Sequence, residues 1–467
     1  MRNFYSDIDK FGDRIAIITD NKTPITYKEV IEEGDSLLDK VESRSLLFII
    51  CKNCYESACV YIGALRKGVV PVLINSGIEE ELFQNLLNLY KPSYLCAPMD
   101  WEKAGLQDQA ITQGGNYVLH KTTYDKDYVL SDDLALLLTT SGSTGSPKLV
   151  RQSYTNIITN ANAIAEYLSI DREDRAITTM PMSYTYGLSI INSHLLQGAC
   201  IIMNEYTVMN KEFWALMKEA QATTFGGVPY IYEMLKKLRF GSMDLPALKY
   251  ITQAGGKLSK NMAEEFNQIC EDKEIKLIIM YGQTEATARM SYLPWEYAKE
   301  KAGSMGIAIP GGEFLLMDEK DELITKPDQV GELIFKGPNV TLGYAKSCYD
   351  LNNQDENQGI LHTGDMAKRD KDGFYYIVGR KKRFLKLFGN RVNLDEVEEL
   401  LKKQNFECVC AGVDDQLKIY CTQKIEPKEI TSFLSRATGI HSSAFQVSFI
   451  EKIPRNEAGK ILYSELK

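Results

Sequence analysis

The chain has few histidines, no long apolar run and no excess of basic residues. Four histidines in 467 residues argue against a histidine-based metal site. No apolar run approaches the ~20 residues that a helix needs to cross a bilayer, and the N-terminal segment lacks the apolar core of a secretion signal. A net charge of -9 argues against a protein that coats nucleic acid or anionic membrane. We therefore expect a cytoplasmic globular protein with no membrane span and no nucleic-acid partner.

The ten cysteines do not form a metal-binding pattern either. Cys51 and Cys54, and likewise Cys408 and Cys410, are the only close pairs, and neither a second pair nor a histidine stands at zinc-ligand spacing. We expect reduced thiols in the core or at the surface. A redox pair at Cys51 and Cys54 is the alternative. The length predicts about two to four domains or subdomains, and the 44% apolar content supports a sizeable core.

Strand-like and helix-like segments alternate along most of the chain. Residues 46–50 and 69–73 are apolar runs typical of strands, and the segment between them is typical of a helix. This alternation predicts a parallel α/β layer. A further helix is expected over 156–168. Beyond residue 304, short β-like runs separated by glycine predict a small β-rich subdomain, and the last part of the chain predicts a compact α+β region.

A loop rich in hydroxyl groups follows the apolar run 134–138. It extends from Thr139 to Lys148 and contains five further Ser or Thr residues and two glycines before its terminal lysine. Such a loop suits an anion, most plausibly a polyphosphate. It lacks the Gly-Lys pair of a Walker A motif and has Pro147 before Lys148, so the ordinary P-loop is excluded. Taken alone, the segment is equally compatible with a surface linker.

Four further segments place polar side chains in loops. Taken alone, Asp365 is compatible with a turn cap, Glu285 with a solvated loop acid and Lys460 with a surface lysine. Their occurrence in one chain, in a fixed order after the hydroxyl-rich loop, is harder to assign to chance. The segments are Gln253-Ala-Gly-Gly-Lys257, Tyr281-Gly-Gln-Thr-Glu285, His362-Thr-Gly-Asp365 and Pro454-Arg-Asn-Glu-Ala-Gly-Lys460.

With these five motifs in this order, the chain resembles the adenylate-forming superfamily of acyl-CoA synthetases, luciferases and nonribosomal peptide adenylation domains. The resemblance implies an α/β fold with a large N-terminal domain at 1–380, made of α/β subdomains and a small β-rich subdomain. A mobile α+β lid follows at 381–467. It also implies two steps: ATP and a carboxylic acid give an acyl-adenylate and pyrophosphate, and a thiol then takes the acyl group as AMP leaves.

The resemblance implies roles for the catalytic residues. Thr284 is expected to bond the α-phosphate, and Glu285 is expected to hold Mg²⁺ against it. Lys460 is expected between the acid's carboxylate and the α-phosphate, where it neutralises charge that develops in the transition state. The β- and γ-phosphates are assigned to the loop residues Thr140, Ser141, Gly142, Ser143, Thr144, Gly145 and Lys148.

The resemblance also implies which residues bind the nucleoside and which belong to the lid. Asp365 is expected to accept the ribose hydroxyls with support from Arg380. Lys386 and Gly389 match a segment that faces the acceptor tunnel after lid rotation, whereas Arg383 stands where many relatives have a hinge aspartate. Adenine is expected to stack on Tyr281, beside the backbone of Gly282, Ala254, Gly255 and Gly256.

The segment 181–188 matches the part of the family that lines the acyl pocket. Thr185 stands where amino-acid-activating relatives carry an aspartate, which disfavours an amino acid because its buried ammonium would lack a partner. Tyr184 stands where many acyl-CoA synthetases have histidine. We expect a mostly apolar pocket for an aliphatic or aromatic acid, lined by Tyr184, Thr185, Tyr186, Gly187, Gly226, Gly227 and Val228.

The thiol acceptor is expected to be CoA or the phosphopantetheine of a carrier protein. A basic cluster suits the phosphates of CoA, an acidic carrier protein or simply a solvated hinge; it contains Arg380, Lys381, Lys382, Arg383, Lys386 and Arg391. CoA is preferred because it is the commoner acceptor among the resembling enzymes. We therefore expect an AMP-forming acid–CoA ligase. A stand-alone adenylation enzyme that loads a carrier protein is the alternative, followed by a non-catalytic nucleotide-binding scaffold.

Overall fold

A computed structural model describes residues 4–102, 108–124, 126–139, 148–388, 390–455 and 461–466. None of the helices in these ranges is long and apolar enough to cross a membrane. The described α-helices are α1 (Tyr27–Leu37), α2 (Tyr55–Lys67), α3 (Glu80–Tyr90), α4 (Tyr154–Leu168), α5 (Thr185–Leu196), α6 (Lys211–Glu219), α7 (Pro229–Lys237), α8 (Lys260–Asp272), α9 (Leu394–Lys403) and α10 (Pro427–Thr438).

The described strands are mostly short, and they alternate with the helices as far as α8. They are β1 (Ile15–Ile18), β2 (Pro24–Thr26), β3 (Leu46–Cys51), β4 (Val70–Asn75), β5 (Tyr94–Pro98), β6 (Asp108–Gly114), β7 (Tyr117–Thr122), β8 (Leu134–Thr139), β9 (Leu149–Ser153), β10 (Arg175–Ile177), β11 (Cys200–Ile202), β12 (Thr224–Gly227), β13 (Tyr250–Gln253), β14 (Lys276–Tyr281), β15 (Ser291–Tyr292), β16 (Ile307–Ala308), β17 (Glu313–Met317), β18 (Val330–Lys336), β19 (Tyr344–Ala345), β20 (Ile360–Arg369), β21 (Tyr375–Arg380), β22 (Phe384–Leu387), β23 (Asn390–Asn393), β24 (Cys408–Val413), β25 (Gln416–Cys421) and β26 (Phe445–Phe449).

Two large sheets have parallel cores. One has the order β16-β15-β14-β13-β12-β10-β11-β1-β2, and the other has the order β19-β9-β8-β4-β3-β5-β7-β6. Strands β14, β13, β12, β10, β11 and β1 pair in parallel, as do β8, β4, β3 and β5. Strand β3 is buried along its whole length, as expected for a parallel strand covered on both faces. The predicted α/β class is confirmed.

Helix α4 begins two residues before the predicted start at Asn156. Ser153 Oγ accepts a hydrogen bond from Asn156 N at 3.1 Å, and Asn156 Oδ1 accepts one from Ser153 N at 2.8 Å. This reciprocal pair satisfies two backbone donors at the helix start and therefore fixes Ser153 as the cap. The Asn156 amide also donates to the carbonyls of Pro338 and Val340.

The described residues divide into two compact units. The first contains those within 4–139, 148–313 and 335–361, and the second contains those within 314–334 and 362–466. In the second unit β22 pairs with β23, and β24, β25 and β26 form a three-stranded sheet. Helices α9 and α10 contribute Val397, Leu401, Ile430 and Leu434 to the apolar core of this unit. The domain boundary expected at residue 380 stays a prediction.

One cysteine expectation is wrong. Cys408 and Cys421 stand opposite each other on the antiparallel strands β24 and β25, with their Cα atoms 4.2 Å apart, and they form a disulfide. Cys51 is a buried free thiol and Cys54 is a half-buried one. Burial raises the pKa of the Cys54 thiol to about 11, which does not favour a reactive thiolate at this position.

Candidate active site

Four of the predicted site segments lie at or just beyond the carboxyl ends of four neighbouring parallel strands. Strands β10, β12, β13 and β14 lie side by side in that order. The carboxyl ends of parallel strands meet at one edge of a sheet, and this edge is where open α/β sheets bind ligands. The last residues of these strands and the segments after them supply, in the same order, Tyr184–Gly187, Gly226–Val228, Ala254–Gly256 and Tyr281–Glu285.

The segment after β14 folds back on itself as a tight loop. Met290 N donates to Tyr281 O at 2.9 Å, so the two ends of the loop are joined. A Cβ atom on Gly282 would lie 1.7 Å from Ala288 O, and therefore only glycine fits at this position. Gln283 Nε2 donates to Tyr281 Oη at 3.2 Å. The loop thus holds the predicted adenine-contacting and phosphate-contacting residues in one compact unit of backbone.

The backbone of this loop is strained at Thr287. This residue has φ 65° and ψ −61°, and Ala288 N donates to Ala286 O at 2.7 Å. These are the features of the rare γ-turn with positive φ, which is costly for a β-branched residue. Thr287 Oγ1 donates to Asn339 O at 2.7 Å, and Thr185 Oγ1 donates to Thr287 O. Such over-determined strain is typical of functional sites.

Glu285 belongs to a contact group that the sequence analysis missed. The phenol of Tyr344 donates to Glu285 Oε1, and Lys148 Nζ lies 3.7 Å from the centroid of the Tyr344 ring. Strand β19 pairs with β9, which places Tyr344 opposite Val150 and therefore near Lys148. Burial, together with the charge of Glu285, raises the pKa of the Tyr344 phenol. The phenol is therefore a stable hydrogen-bond donor that orients the carboxylate.

The residues around Glu285 fit Mg²⁺. Thr284 and Glu285 are both half-buried, and they stand next to each other in a short 3-10 helix, Thr284–Ala286. Mg²⁺ prefers oxygen ligands, and proteins usually bind it through one or two carboxylates plus substrate phosphates. A single carboxylate beside a hydroxyl suits that pattern. The backbone of Glu285 is also held in place, because Thr341 Oγ1 donates to Glu285 O at 3.0 Å.

The predicted acyl-pocket residues form two groups. A Cβ atom on Gly255 would lie 2.8 Å from Val228 Cγ1 and 3.0 Å from Tyr184 Oη, so these three residues lie together. Thr185 is buried and uses its hydroxyl to bond the Thr287 carbonyl. Its side chain therefore supports the strained turn. Gly187 packs against the Pro181 carbonyl, and Gly227 packs against Ile231 and Tyr232.

The second group surrounds a small buried cavity between α4, α5 and the sheet. Tyr186 is fully buried, and its hydroxyl lies 3.0 Å from Thr252 O and 2.9 Å from Thr252 Oγ1. A Cβ atom on Gly226 would lie 2.7 Å from the same hydroxyl. The cavity is lined by Tyr186, Ser193, His194, Gly226, Thr252 and Arg289, among others, and its free volume of about 10 Å³ suits about one water molecule.

His194 and Arg289 are the ionisable groups of this cavity that are not tyrosines. Burial lowers the pKa of His194 to about 4, so the imidazole is neutral at neutral pH. Its Nδ1 lies 2.8 Å from Ile190 O, and its Nε2 lies 3.4 Å from Tyr250 Oη. The Arg289 guanidinium carbon lies 4.1 Å from the centroid of the Tyr186 ring. Arg289 was not predicted as a site residue.

In the second unit, Asp365 and Arg380 form an ion pair. They stand opposite each other on β20 and β21, and Arg380 Nε lies 2.6 Å from Asp365 Oδ1. The Asp365 side chain is 4% exposed, whereas the Arg380 side chain is 58% exposed. The carboxylate is thus held from one side by the partner that the sequence analysis named. Their role at the ribose stays a prediction.

Arg383, at the expected hinge position, is held within the second unit. Its Nε lies 2.5 Å from Asp395 Oδ1, and its Nη2 lies 2.6 Å from Glu398 Oε1. Its Nη1 donates to Cys410 O at 3.1 Å, and its guanidinium carbon lies 3.8 Å from the centroid of the Tyr463 ring. Arginine at this position therefore ties the segment directly before β22 to α9 and β24.

Lys386 belongs to strand β22. The predicted residues that lie outside the described part of the chain are Thr140, Ser141, Gly142, Ser143, Thr144, Gly145, Gly389 and Lys460.

Comparisons with known proteins identify the family and the fold. The family model described as AMP-binding enzyme matches residues 4–345. A 2-succinylbenzoate–CoA ligase of Oceanobacillus iheyensis is 26% identical to this chain, over 98% of this chain and 97% of the relative. The O-succinylbenzoate coenzyme A synthetase of Bacillus subtilis, solved with ATP and a magnesium ion, has a TM-score of 0.80 at 21% identity, covering 100% of this chain and 99% of that one. ATP-bound MatB from Rhodopseudomonas palustris has a TM-score of 0.79 at 19% identity, covering 99% and 98%.

Proposed function

Because this chain belongs to the AMP-binding enzyme family, we propose that it is an ATP-dependent, AMP-forming acid–CoA ligase. The family expected from the five motifs is confirmed. The observation that carries the proposed activity is the meeting of four site segments at the carboxyl ends of the neighbouring strands β10, β12, β13 and β14. A sheet edge of this kind can hold a nucleotide and an acid side by side.

In the first step the acid's carboxylate oxygen attacks the α-phosphorus of ATP, and pyrophosphate leaves. Glu285 would hold Mg²⁺, which when bound screens the phosphate charge that repels the carboxylate. Tyr344 keeps the Glu285 carboxylate oriented by donating to Oε1. The Thr284 hydroxyl donates a hydrogen bond to the α-phosphate. Lys460 is assigned the role of orienting the carboxylate and the α-phosphate and of neutralising the charge that develops between them.

The remaining contacts bind the nucleotide. The loop from Thr140 to Gly145, ending at Lys148, binds the β- and γ-phosphates. Tyr281 stacks on adenine beside the Ala254–Gly256 backbone, and Asp365 accepts the ribose hydroxyls while Arg380 supports it. In the second step the thiol attacks the acyl carbon, and AMP leaves. A lid at 381–467 rotates between the steps and brings Lys386 and Gly389 to the acceptor.

CoA is the proposed acceptor, and 2-succinylbenzoate is the first acid to test. Eight relatives that are 24 to 26% identical over nearly their whole length are named 2-succinylbenzoate–CoA ligases. The expectation of an aromatic or aliphatic acid includes this substrate. We also propose that the protein acts in the cytoplasm, where ATP and CoA are supplied.

The test is pyrophosphate release with ATP and a panel of acids, run with CoA, with hydroxylamine or without acceptor. A CoA ligase releases pyrophosphate and forms the acyl-CoA thioester. Release with hydroxylamine but not with CoA would instead indicate loading of a carrier protein. If no acid causes release, the enzyme proposal fails and a non-catalytic nucleotide-binding scaffold is favoured.

A second arm tests the lid lysine. Lys460→Ala is expected to lose adenylation and to retain most of its thioester formation from supplied acyl-adenylate, since its proposed role is confined to the first step. Equal loss of both steps would contradict that role. Glu285→Gln serves as the comparison, because it removes the proposed metal ligand while keeping the size of the side chain.

A further inference from the structure

Among the residues that the structure describes, Arg289 is a buried cation without a carboxylate partner. The residue is 3% exposed. Within the part of the chain that the structure describes, it belongs to none of the ion pairs, and its Nε has no hydrogen-bond partner. Its side chain is hydrogen-bonded to the Tyr167 hydroxyl, and its guanidinium lies on the face of the Tyr186 ring. A guanidinium is not deprotonated in proteins, so a positive charge is buried here against aromatic rings.

The position of Arg289 is fixed by its backbone. Asn160 Nδ2 donates to Arg289 O at 2.9 Å, and Asn339 Nδ2 donates to the same oxygen at 3.0 Å. Arg289 N donates to Asn160 Oδ1 at 3.3 Å. The preceding γ-turn at Thr287 further limits the path of the chain. The Arg289 backbone is therefore rigidly supported and its side chain lines the cavity, as expected of a preorganised binding group.

An uncompensated buried charge is costly, and an anion brought to it recovers that cost. Arginine suits a carboxylate especially well, because its planar fork forms two parallel hydrogen bonds with the two oxygens. The cavity has space for about one water molecule. A carboxylate group can replace such a water with a small adjustment of the walls, whereas a whole acid cannot fit there.

The cavity adjoins the residues expected to handle the reacting carboxylate. Arg289 belongs to the same closed loop as Thr284 and Glu285, and its backbone packs against Gly282, where a Cβ atom would lie 3.0 Å from Arg289 Cα. Tyr186 forms a wall of the cavity and contacts Gly226, which is an expected acyl-pocket residue. One acid molecule can therefore present one end to the nucleotide and the other end to Arg289.

We propose that Arg289 binds a second carboxylate on the acid substrate and thereby makes this enzyme selective for dicarboxylic acids. The inference rests on the proposed ligase function and adds the substrate class and the residue that selects it. Arg289 acts as a specificity residue: it contacts the end of the substrate that does not react, and the carboxylate that is activated lies at Thr284 and Glu285.

The experiment measures adenylation of matched acids that differ only by the second carboxylate. One pair is 2-succinylbenzoate and 4-oxo-4-phenylbutanoate, which lacks the ring carboxylate, and a second pair is glutarate and pentanoate. In the wild type, kcat/KM is expected to be about 30-fold or more higher for the preferred dicarboxylate than for its partner. In Arg289→Met that preference is lost through a higher KM for the dicarboxylate, while the KM for ATP is unchanged.

Two variants keep the test informative if Arg289→Met folds poorly. Arg289→Lys retains the charge but loses the fork, so it should show an intermediate preference. Arg175→Met is the control, because Arg175 is a half-buried arginine that donates to the Ala220 carbonyl and is not among the residues lining the cavity. It should keep the wild-type preference. Stabilisation of the wild type against heat by each acid of a pair is a measurement that needs no variant.

The outcomes separate this inference from the proposed function. A wild type that adenylates monocarboxylates as well as their dicarboxylate partners is a ligase in which Arg289 has no such role. An Arg289→Met enzyme that keeps the dicarboxylate preference leads to the same conclusion. Absence of pyrophosphate release with every acid overturns the ligase function itself, and the substrate assignment with it.

Discussion

Arg289 in the first unit and Arg383 in the second are both largely buried, and both lie on the face of a tyrosine ring. Their guanidinium carbons are 4.1 and 3.8 Å from the ring centroids. Arg383 also contacts the carboxylates of Asp395 and Glu398, whereas Arg289 faces a cavity. The comparison teaches that a buried cation with its anions nearby is part of the architecture, while one without them is available to a ligand.

The largest expected effect tests the structural side of this comparison. Arg383→Met leaves the Glu398 carboxylate, 17% exposed, without its cation. Breaking one side of a buried pair costs about 3 to 5 kcal/mol, because the remaining charge is uncompensated. We expect the amides of β22, β24 and α9 to exchange hydrogen much faster in the variant. The exposed Arg436→Met on α10 is the control, and equal exchange in both variants would show that the network does not stabilise this unit.

The next effect concerns the cavity that holds Arg289. Burial lowers the pKa of His194 to about 4, although the Ile190 carbonyl and Asp174 act in the opposite direction. An unfolded histidine titrates near ~6.5, so between about pH 6.5 and 4 the unfolded state binds more protons. Neutral His194 therefore makes its full contribution to the free energy of unfolding above this pH window. About 3 kcal/mol of that free energy is lost as the pH falls to 4.

Urea unfolding at several pH values between 7 and 4.5 measures this loss. His194→Gln removes the titrating group and is expected to flatten the pH dependence, even if it is less stable at pH 7. His441 is exposed, and His441→Gln should leave the pH dependence as in the wild type. A slope that is unchanged in His194→Gln would mean that burial does not lower the pKa of His194.

Tyr344 has a cation on one side and a carboxylate on the other: Lys148 lies over its ring, and its hydroxyl donates to Glu285. Tyr344→Phe removes the donor to Glu285 Oε1. A hydrogen bond to a charged group contributes about 1.5 to 3 kcal/mol, so we expect adenylation about 10- to 100-fold slower. Tyr349→Phe is the matched control, because Tyr349 also donates to a carboxylate, Asp127, and has a lysine over its ring, but is 59% exposed. Similar rates for the two variants would contradict a positioning role for Tyr344.

The smallest expected effect completes the comparison of the two arginines. Arg289→Met leaves no carboxylate without a partner among the described residues. Its stability without acid should therefore stay within about 1 kcal/mol of the wild type or rise slightly. Urea unfolding of the unliganded protein measures the difference. A loss of several kcal/mol would show that Arg289 is a structural residue like Arg383.

The sequence predicted those parts of the molecule that depend on local pattern. Continuous apolar runs such as 46–50 indicated buried parallel strands, and Leu46 does pair in parallel with Val70. The motif residues followed these runs, so their placement at strand ends could be predicted as well. The start of α4 was predicted two residues late, because the polar capping pair of Ser153 and Asn156 lies outside the apolar periodicity that indicated the helix.

The missed features depend on contacts between distant segments. Tyr344 follows Glu285 by 59 residues, and only the pairing of β19 with β9 brings it to the site. The Cys408–Cys421 disulfide depends on the register of a hairpin, which the cysteine spacing did not reveal. Arg289 did have a local signal: it is a single charge among small and apolar residues, four positions after Glu285.

The strained turn at Thr287 has a consequence for changing the enzyme by design. The turn lies between Glu285 and Arg289. Glu285 is expected to take part in the adenylation of every acid, whereas Arg289 is expected to contact only acids with a second carboxylate. Because Thr185, Asn160 and Asn339 hold the backbone on both sides of the turn, exchanging side chain 289 should leave the nucleotide-facing part in place. We therefore expect that substitution at position 289 alone can change the acid preference without altering the adenylation chemistry.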